Sequence, residues 1–471
     1  MNDILMKIKR NYFEVCVFLF WYVALFPGLL PFDTAEAIRI TQIGQSSNWW
    51  TRLYFEILSF TSLGGRSIAI TSGLGLLTLF FSLYLFVNSI LFLSKIYRKR
   101  LFRFLLLNPL IGYSGMTVSH DVTLVSGILI ILATELEFRY RSNYQYERSV
   151  LARWIMLIFA YILLSTNYIG WIFALLHLAL LVKRRFLSKV ISLSLIFAFV
   201  AIFLNFGLAS NLGYKFDGPA LPFFADLKCI TSYKDAELTS KDKDFLLSLA
   251  VVDFWQERVD CSTIDNTIQA ANKYRVQVPN LNLNFLRGYF EIATKNPRIT
   301  WFSHSQKALQ ALPPPLSTFA WNQNLDLKLR AERDGFFYWE YNAIEVVHLS
   351  VDEISVQVKL PEVWQRFQDF VLFGGLMINA GSWFWGWGGL WLLLFFVFGC
   401  IKYKFEMGKL ALLCAVWLFP LHAFLFLMGP SPVPRYTLIT LILGQVFFSM
   451  LFISRSLSLS LETNPSTKKC V

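Results

Sequence analysis

Residues 103–138 read RFLLLNPLIGYSGMTVSHDVTLVSGILIILATELEF, and this stretch decides the fold that we expect. Two apolar runs flank the short polar segment Thr117–Asp121. Apolar runs of this kind are typical of helices that enter a membrane and return after a tight turn. The stretch therefore predicts a helical hairpin in a bilayer, with its polar tip at one membrane surface.

The composition of the whole chain agrees with this interpretation. Of the 471 residues, 55% are hydrophobic and only 16% are charged, and the mean hydropathy is +0.50. A soluble chain has about 25% charged residues, so this composition excludes a soluble enzyme and a disordered scaffold. The 46 Phe, 19 Tyr and 15 Trp residues fit lipid-facing and interfacial positions.

The net charge of +12 is distributed unevenly. Residues 209–368 contain 17 Lys/Arg and 19 Asp/Glu, a net charge of −2, so the remainder carries +14. That excess lies in short clusters between apolar runs, namely Lys7–Arg10, Lys95–Arg103, Arg139–Arg153, Lys183–Lys189, Lys402–Lys409 and Arg455–Lys469. Short basic loops mark the cytoplasmic side of a membrane. The positive charge therefore predicts anionic lipid headgroups as partners, and not nucleic acid.

The alternation of basic clusters and apolar runs predicts a polytopic α-helical membrane protein with about ten transmembrane helices and both termini in the cytoplasm. We expect a membrane module of seven helices over 1–208, a soluble extracytoplasmic domain over 209–368 and a membrane module of three helices over 369–471. The expected helices lie near 13–31, 68–94, 103–119, 122–137, 152–166, 169–182, 188–208, 383–401, 410–428 and 436–454. Runs 122–137 and 169–182 are shorter than the roughly 20 residues that span a bilayer. They are either tilted or broken helices around a cavity, or their boundaries lie elsewhere.

The domain over 209–368 is predicted to have a mixed α/β core. Its helical patterns cover Ser240–Val252, Ile264–Tyr274 and Leu283–Thr294, and its strand patterns cover Ala343–Ser350 and Glu353–Leu360. Cys229 and Cys261 are the two cysteines of this domain. They form a disulfide if the domain faces an oxidising compartment, and are two buried free thiols otherwise.

The first outer loop contains a candidate catalytic group. Asp33 follows the first apolar run, Glu36 comes one helical turn later, and Arg39 follows. A carboxylate at this position can take the proton of an incoming hydroxyl, which makes the hydroxyl oxygen nucleophilic. The alternative is that Asp33 caps a helix. The later segment NWWTRLYFEIL of the same loop has the pattern of an amphipathic interfacial helix.

Ser119-His120-Asp121 forms the tip of the hairpin in residues 103–138. Adjacent side chains cannot form a hydrolase triad. His120 and Asp121 could bind a divalent cation or hold a phosphate-bearing ligand, whereas Asp121 as the N-cap of the next helix is the alternative.

Arg435 and Tyr436 follow a proline-rich segment before the last apolar run, and Arg66 precedes the second one. Basic residues are otherwise concentrated on the predicted cytoplasmic side, so an arginine on the outer side indicates an anionic partner. Phosphate is a suitable partner because its oxygens match the donors of the guanidinium. The alternative for both arginines is snorkelling at the interface. His177 and His422 lie in apolar runs, and we expect them to hydrogen-bond between helices.

Taken in order, these motifs resemble the GT-C class of integral membrane glycosyltransferases, which use polyprenyl-phosphate-linked sugars. The shared features are PGLLPFDTAEAIRI at 27–40, TVSHD at 117–121, a long outer domain and VPRY at 433–436. In the outer domain, DLK, LTSKDKDFL and KNPRITW resemble an uncharacterised bacterial branch of that class. The resemblance covers the layout of the whole chain.

The resemblance implies an inverting sugar transfer at the outer face of the plasma (inner) membrane. Asp33 would be the general base, and Asp121 with His120 would bind the donor phosphate, through Asp121 as ligand to a divalent cation (Mg²⁺ or Mn²⁺). Arg435 and Arg66 would contact that phosphate, with Glu36, Arg39 and Tyr436 as secondary candidates. The acceptor would be a lipid-linked or envelope glycan.

A transporter or flippase of a lipid-linked or anionic substrate is the main alternative function. It would explain the interfacial arginines, but it predicts charged residues midway along membrane helices. Such residues are almost missing from the predicted helices, since Glu14 and Arg103 lie near cytoplasmic ends. A receptor-like or assembly protein is a further alternative, and it would leave Asp33 and Asp121 without a role.

Overall fold

A computed structural model of the chain describes residues 12–26, 51–140, 149–183, 192–195, 220–307, 388–428 and 438–463. Short gaps within these ranges fall at 66, 260, 262–263 and 280–281, and the single residues Gly28, Thr34, Ala37 and Ile38 are also described. The statements below concern these residues.

The described residues form α-helices, with no strand among them. In chain order the helices are α1 (Tyr12–Ala24), α2 (Arg52–Thr61), α3 (Ala69–Asn88), α4 (Lys95–Leu106), α5 (Pro109–Met116), α6 (His120–Tyr140), α7 (Val150–Leu164), α8 (Tyr168–Lys183), α9 (Leu221–Ser232), α10 (Ser240–Leu249), α11 (Val252–Gln256), α12 (Asp265–Lys273), α13 (Leu283–Lys295), α14 (Pro297–Lys307), α15 (Gly388–Ile401), α16 (Glu406–Met428) and α17 (Leu438–Thr463).

One continuous apolar core joins helices from both halves of the chain into a bundle. Helix α3 packs against α5 and α6, α6 packs against α7, and α15 and α16 form a hairpin. The Phe173 ring of α8 stacks on the Trp417 ring of α16, with centroids 6.4 Å apart. Gly112 of α5 allows the Trp21 indole to lie directly on its backbone, where a β-carbon would collide with the ring. The two predicted membrane modules are therefore a single packed body in the described residues.

The two ends of this bundle differ in chemistry. At one end, Arg139 near the end of α6 donates to the Lys409 carbonyl near the start of α16 (3.4 Å). This end, with Lys402, Lys404 and Lys409, is called the basic end below. The other terminus of α6 begins at His120, and 21 residues of helix extend about 30 Å. The segment 119–121 therefore lies at the opposite end of the bundle, called the polar end.

The described part of the polar domain, residues 220–307, has its own apolar core. Aromatic side chains dominate that core, and Phe224 stacks on Phe254 with centroids 5.4 Å apart. Cys229 and Cys261 form a disulfide with a Cα–Cα distance of 5.4 Å, so the disulfide alternative is confirmed and the free-thiol alternative is wrong. Helix α14 of this domain contacts α16, where the rings of Trp301 and Phe426 lie 5.0 Å apart.

The prediction of about ten membrane-spanning helices is wrong. Among the described residues, only Ala69–Asn88 and Glu406–Leu427 are long and apolar enough to cross a bilayer. Five further apolar helical stretches have 13 to 16 residues, about 20–24 Å, against the roughly 30 Å of a hydrocarbon core, and the last of them is the first part of α17. These are Tyr12–Ala24, Leu151–Leu164, Tyr168–Lys183, Gly389–Ile401 and Leu438–Leu451.

The physical reason is that polar residues and proline break the apolar runs. The predicted helix 103–119 divides into α4 and α5 at Leu107-Asn108-Pro109, because proline lacks the N–H that would continue α4. Helix α6 is long enough, but it contains Asp121, Glu135 and Glu137. Of the predicted helix 188–208, only 192–195 are described.

The prediction of a mixed α/β outer domain is also wrong, since the described residues of that domain are helical. The predicted strands Ala343–Ser350 and Glu353–Leu360 lie outside the described residues. The predicted helices Ile264–Tyr274 and Leu283–Thr294 correspond to α12 and α13, while Ser240–Val252 is interrupted at Ala250, where the backbone becomes extended. The observed fold is thus not the one that the resemblance implied.

Candidate functional site

Of the residues singled out in the sequence, His120 and Asp121 can be located in the structure. Asp33, Glu36, Arg39, Arg66, Arg435 and Tyr436 lie outside the described residues. Their roles therefore stay predictions.

The polar end of the bundle is built around a break between α7 and α8. The hydroxyls of Ser165 and Thr166 donate back to the carbonyls of Tyr161 (2.7 Å) and Leu163 (2.6 Å), which ends α7. Asn167 Oδ1 accepts from the N–H of Ile169 (2.9 Å) and so caps α8. The Ser-Thr-Asn segment thus turns the chain and leaves polar groups buried at this end.

Asp121 lies against this break, and its side chain is only 6% exposed. The hydroxyl of Ser119 donates to Asp121 Oδ2 (3.0 Å), and Asn167 Nδ2 donates to Oδ1 (3.4 Å). His120 Nε2 lies 3.6 Å from the same Oδ1. Two parts of the sequence, residues 119–121 and Asn167, therefore converge on one buried carboxylate.

The N-cap alternative for Asp121 is wrong, because α6 begins one residue earlier, at His120. Ser119 takes the capping position instead, and its Oγ accepts from the N–H of Asp121 (3.1 Å). The Asp121 carboxylate therefore bonds Ser119 before its own helix and Asn167 at the break between α7 and α8.

Helix α2 covers the other side of this site. Thr51 caps α2 by accepting from the N–H of Tyr54, and its hydroxyl donates to the Thr166 carbonyl (2.8 Å). The Tyr54 ring meets the His120 ring edge to face, with centroids 5.4 Å apart. The helix expected in NWWTRLYFEIL is confirmed as α2, and it contributes to the site. Sequence reasoning missed Thr51, Thr166 and Asn167; the polar Ser-Thr-Asn segment between two apolar runs was the available signal.

The His120–Asp121 pair was predicted to hold a divalent cation. Within the described residues, no group of three or more His, Cys, Asp or Glu side chains could hold a metal ion. The oxygens that surround this point fit Mg²⁺ or Mn²⁺, which commonly take one or two carboxylates and complete their shell with water and substrate phosphate. In addition, His120 Nδ1 is buried and has no hydrogen-bond partner among the described residues.

A second polar cluster lies in the polar domain and was not foreseen. The fully buried Asp226 of α9 accepts from Ser303 Oγ (2.6 Å) and Lys307 Nζ (2.5 Å) on Oδ1. On Oδ2 it meets Tyr289 OH (3.1 Å) and His304 Nε2 (3.0 Å). These partners lie 63 to 81 residues from Asp226 in sequence, so no local sequence motif predicts the cluster.

Electrostatics in this second cluster favour the ionised carboxylate. Burial raises the pKa of Asp226, but the charge of Lys307 and the hydrogen bond from His304 outweigh burial and lower it to about 2. Burial also raises the pKa of Tyr289 well above its usual value, and the adjacent Asp226 charge adds to this effect. Asp226 therefore stays ionised and Tyr289 neutral.

A third buried polar group lies inside the bundle. His177 Nε2 lies 3.5 Å from Glu135 Oε1, and its Nδ1 lies 3.0 Å from the hydroxyl of Tyr161. The His422 ring bonds the hydroxyl of Thr440 (2.9 Å). Both histidines hydrogen-bond between helices, as expected. Glu135 is 3% exposed but lies five residues before the end of α6, so the expectation that charged residues are almost missing midway along the helices stays a prediction.

The chain was also compared with known proteins. No family model, no curated protein and no solved structure matches it. Function must therefore be inferred from the sequence motifs and from the geometry of these three clusters.

Proposed function

We propose that this protein is a membrane glycosyltransferase that moves a sugar from a polyprenyl-phosphate donor to an acceptor hydroxyl, with inversion. The observation that carries the proposal is the convergence of Ser119, His120, Asp121 and Asn167 at the polar end of an apolar bundle. A lipid-phosphate donor needs an apolar surface for its tail beside a polar site for its phosphate. The bundle end offers both.

The orientation of the bundle supports an outer-face reaction. The basic end carries Arg139, Lys402, Lys404 and Lys409, and basic residues favour the cytoplasmic side. Asp121 lies at the opposite terminus of α6 and would then face the extracytoplasmic side of the plasma membrane, with both chain termini in the cytoplasm. Apolar side chains on α3 are exposed to the surroundings, among them Leu74, Leu77 and Phe81. A lipid tail can lie against such a surface.

In this proposal Asp33 takes the proton of the acceptor hydroxyl. The hydroxyl oxygen then bonds to the anomeric carbon of the sugar, and the bond from that carbon to the phosphate oxygen breaks, with its electron pair leaving on the phosphate. Asp33 lies between Gly28 and Thr34; Thr34 is buried, and Gly28 is close to Ser72 and the Met116 carbonyl. Gly28, five residues before Asp33 in the sequence, is thus near the segment that leads to Asp121.

The donor phosphate would be bound by Asp121 and His120, with Arg66 and Arg435 as charge partners. A divalent cation, when bound, would neutralise charge on the leaving phosphate. Arg66 directly follows Gly65 in the sequence, and the N–H of Gly65 donates to Ser62 Oγ (2.9 Å) after the end of α2. Arg435 precedes the start of α17 by three residues. Glu36, Arg39 and Tyr436 stay secondary candidates, and a lipid-linked or envelope glycan is the proposed acceptor.

The experiment that tests the proposal is a thermal unfolding series of the detergent-purified protein. Polyprenyl monophosphate should raise Tm as its concentration passes the dissociation constant, because ligand binding to the folded state alone stabilises it. The uncharged polyprenol is the matched control ligand and should not raise Tm. Asp121→Asn should lose the shift, whereas the exposed Asp235→Asn should keep it. Equal shifts with phosphate and alcohol, or none with either, would contradict the proposal.

One observation favours the transporter or flippase as a second candidate. Glu135, His177 and Tyr161 form a buried chain of ionisable groups between α6, α7 and α8, and such groups inside a membrane often lie on substrate or proton pathways. If the protein is a transporter, Glu135→Gln should abolish substrate movement into proteoliposomes while Asp121→Asn does not. If the protein is a transferase, Asp121→Asn should abolish activity in a sugar-transfer assay while Glu135→Gln does not.

A further inference from the structure

The junction between the polar domain and the bundle contains two side chains with complementary chemistry. Trp301 and His304 are three residues apart on α14 and therefore point to the same side of that helix. Both rings contact Phe426 near the end of α16, at centroid distances of 5.0 and 5.5 Å. Trp301 remains 37% exposed, so an aromatic surface at this junction is accessible.

The Asp226 cluster determines the tautomer of His304. The Asp226 carboxylate is ionised and can only accept, so the ring nitrogen beside it, Nε2 at 3.0 Å, carries the proton. In the ring tautomer with the proton on Nε2, Nδ1 holds a lone pair and can accept a hydrogen bond.

Nδ1 of His304 has no hydrogen-bond partner in the part of the chain that the structure describes, although it is buried. The side chain is only 8% exposed. A buried polar atom without a partner is costly, so such atoms in folded proteins usually mark a position that a water or ligand completes. A sugar hydroxyl would supply the missing hydrogen bond to this nitrogen.

We propose that Trp301 and His304 form a carbohydrate subsite at this junction. The C–H face of a sugar ring stacks on the exposed side of the Trp301 indole, and one ring hydroxyl donates to Nδ1 of His304. The ligand class follows from the two side chains together, because a sugar presents an apolar face and neutral hydroxyl donors at once. This inference rests on the proposed transferase function and assigns the subsite to its acceptor glycan.

The position of the subsite suits an acceptor. Phe426 is two residues before the end of α16, and the segment that follows leads to Arg435. Helix α16 packs on α8 through Trp417 and Phe173, and α8 begins directly after Asn167, which bonds Asp121. The subsite and the proposed phosphate site therefore lie at the same end of the bundle, on different elements. Asp226 is a positioning residue in this arrangement, since it acts through His304.

The test measures sugar binding without requiring turnover. Saturation-transfer NMR is recorded on the full-length protein in detergent with four probes, the methyl glycosides of glucose, galactose, mannose and N-acetylglucosamine. At least one probe should give saturation transfer with the unchanged protein. Trp301→Ala should reduce that signal at least fivefold, whereas Trp301→Phe, which keeps an aromatic face, should retain most of it.

His304→Phe should weaken binding roughly fivefold, the effect of one hydrogen bond of about 1 kcal/mol. Because His304 is buried, its variant is interpreted only if its Tm equals that of the unchanged protein. If it does not, Trp301→Ala still decides the test, because Trp301 is 37% exposed. Phe290→Ala on α13 is the matched control, because Phe290 is an exposed aromatic residue of the same domain outside the junction. It should bind the probe normally.

Two results would overturn the subsite. The first is saturation transfer from none of the four glycosides, and the second is equal signal in Trp301→Ala and Phe290→Ala. The Asp121→Asn protein separates this inference from the proposed function, because it should lose the polyprenyl-phosphate shift but keep glycoside binding. If the unchanged protein shows no Tm shift with polyprenyl phosphate but binds a glycoside in a manner that depends on Trp301, the result supports the subsite and contradicts the proposed lipid-phosphate donor.

Discussion

Two buried aspartates near the polar end of the molecule differ in how their carboxylates are held. Asp226, in the polar domain, accepts two donors on each oxygen, and one of them is the ammonium of Lys307. Asp121, at the end of the bundle, accepts from the neutral groups of Ser119 and Asn167 at 3.0 and 3.4 Å. A carboxylate has about four lone-pair positions, so the domain itself satisfies Asp226 completely.

This difference indicates what each aspartate contributes. The four donors of Asp226 come from two helices, α13 and α14, so the cluster ties both of them to α9 and stabilises the domain. Asp121 accepts from Ser119 and Asn167 beside His120, and it lies at the end of the bundle where the proposed donor phosphate binds. We therefore expect changes at Asp226 to alter stability and changes at Asp121 to alter ligand binding.

The largest expected effect follows from Asp226→Asn. The substitution leaves the ammonium of Lys307, 2% exposed, without its carboxylate, and breaking a buried ion pair in this way costs about 3–5 kcal/mol. Denaturant unfolding followed by hydrogen exchange in α9 and α14 measures this loss. Asp121→Asn should cost less than about 1 kcal/mol, and the exposed Asp235→Asn should cost nothing measurable. A larger loss at Asp121 than at Asp226 would reverse the comparison.

Removal of the disulfide should have the second largest effect, and only in the polar domain. Cys229 and Cys261 are 32 residues apart, and closing a loop of this length stabilises the folded state by about 3–4 kcal/mol through the unfolded chain. Replacing both cysteines by serine should speed hydrogen exchange in α9 and α13 and leave α3 unchanged. The exposed Cys16→Ser is the control. Faster exchange in α3 would mean that the two regions unfold as one unit.

Acid should destabilise the polar domain through Asp226. Its folded pKa of about 2 lies below the roughly 3.9 of an unfolded aspartate, so this stabilisation is present above about pH 4. It is lost as the pH falls from 4 towards 2, and amounts to about 2–3 kcal/mol. The quantity to measure is the free energy of unfolding against pH.

The Asp226→Asn protein provides the control for the acid experiment. Burial raises the pKa of Asp242, but the hydrogen bonds from Lys295 and Thr239 outweigh burial and lower it. Protonation of Asp242 therefore also destabilises the folded state as the pH falls. Only the difference between the unchanged protein and Asp226→Asn isolates the contribution of Asp226. Parallel pH profiles for the two proteins would show that Asp226 does not contribute.

The smallest expected effect belongs to the bundle. Gly112→Ala places a methyl group against the Trp21 indole and should displace its hydrogen bond to the Leu106 carbonyl (2.9 Å). Overpacking of this kind costs about 1–3 kcal/mol. Tm of the bundle should fall while exchange in α13 stays unchanged, and adding Trp21→Phe should recover part of the loss. If Trp21→Phe recovers none of the lost Tm, the added methyl group does not clash with the Trp21 indole.

Part of this arrangement was predictable from local sequence. The helices α12 and α13, the amphipathic α2 and the His120–Asp121 tip all follow from patterns within a few residues. Helix lengths were harder where Pro109 separates α4 from α5 inside a run that is apolar overall, whereas the predicted boundary between 166 and 169 agrees with the break between α7 and α8. Hydropathy averages over a window, whereas a proline ends a helix at one residue.

What the sequence by itself determined is composition, charge distribution and the short motifs, because each depends only on neighbouring residues. The tertiary structure decided which polar groups meet. Asn167 reaches Asp121 across 46 residues, and Lys307 reaches Asp226 across 81. Such pairs form because a buried carboxylate is stable only where the packed helices bring donors to it, and helix packing is a property of the whole chain.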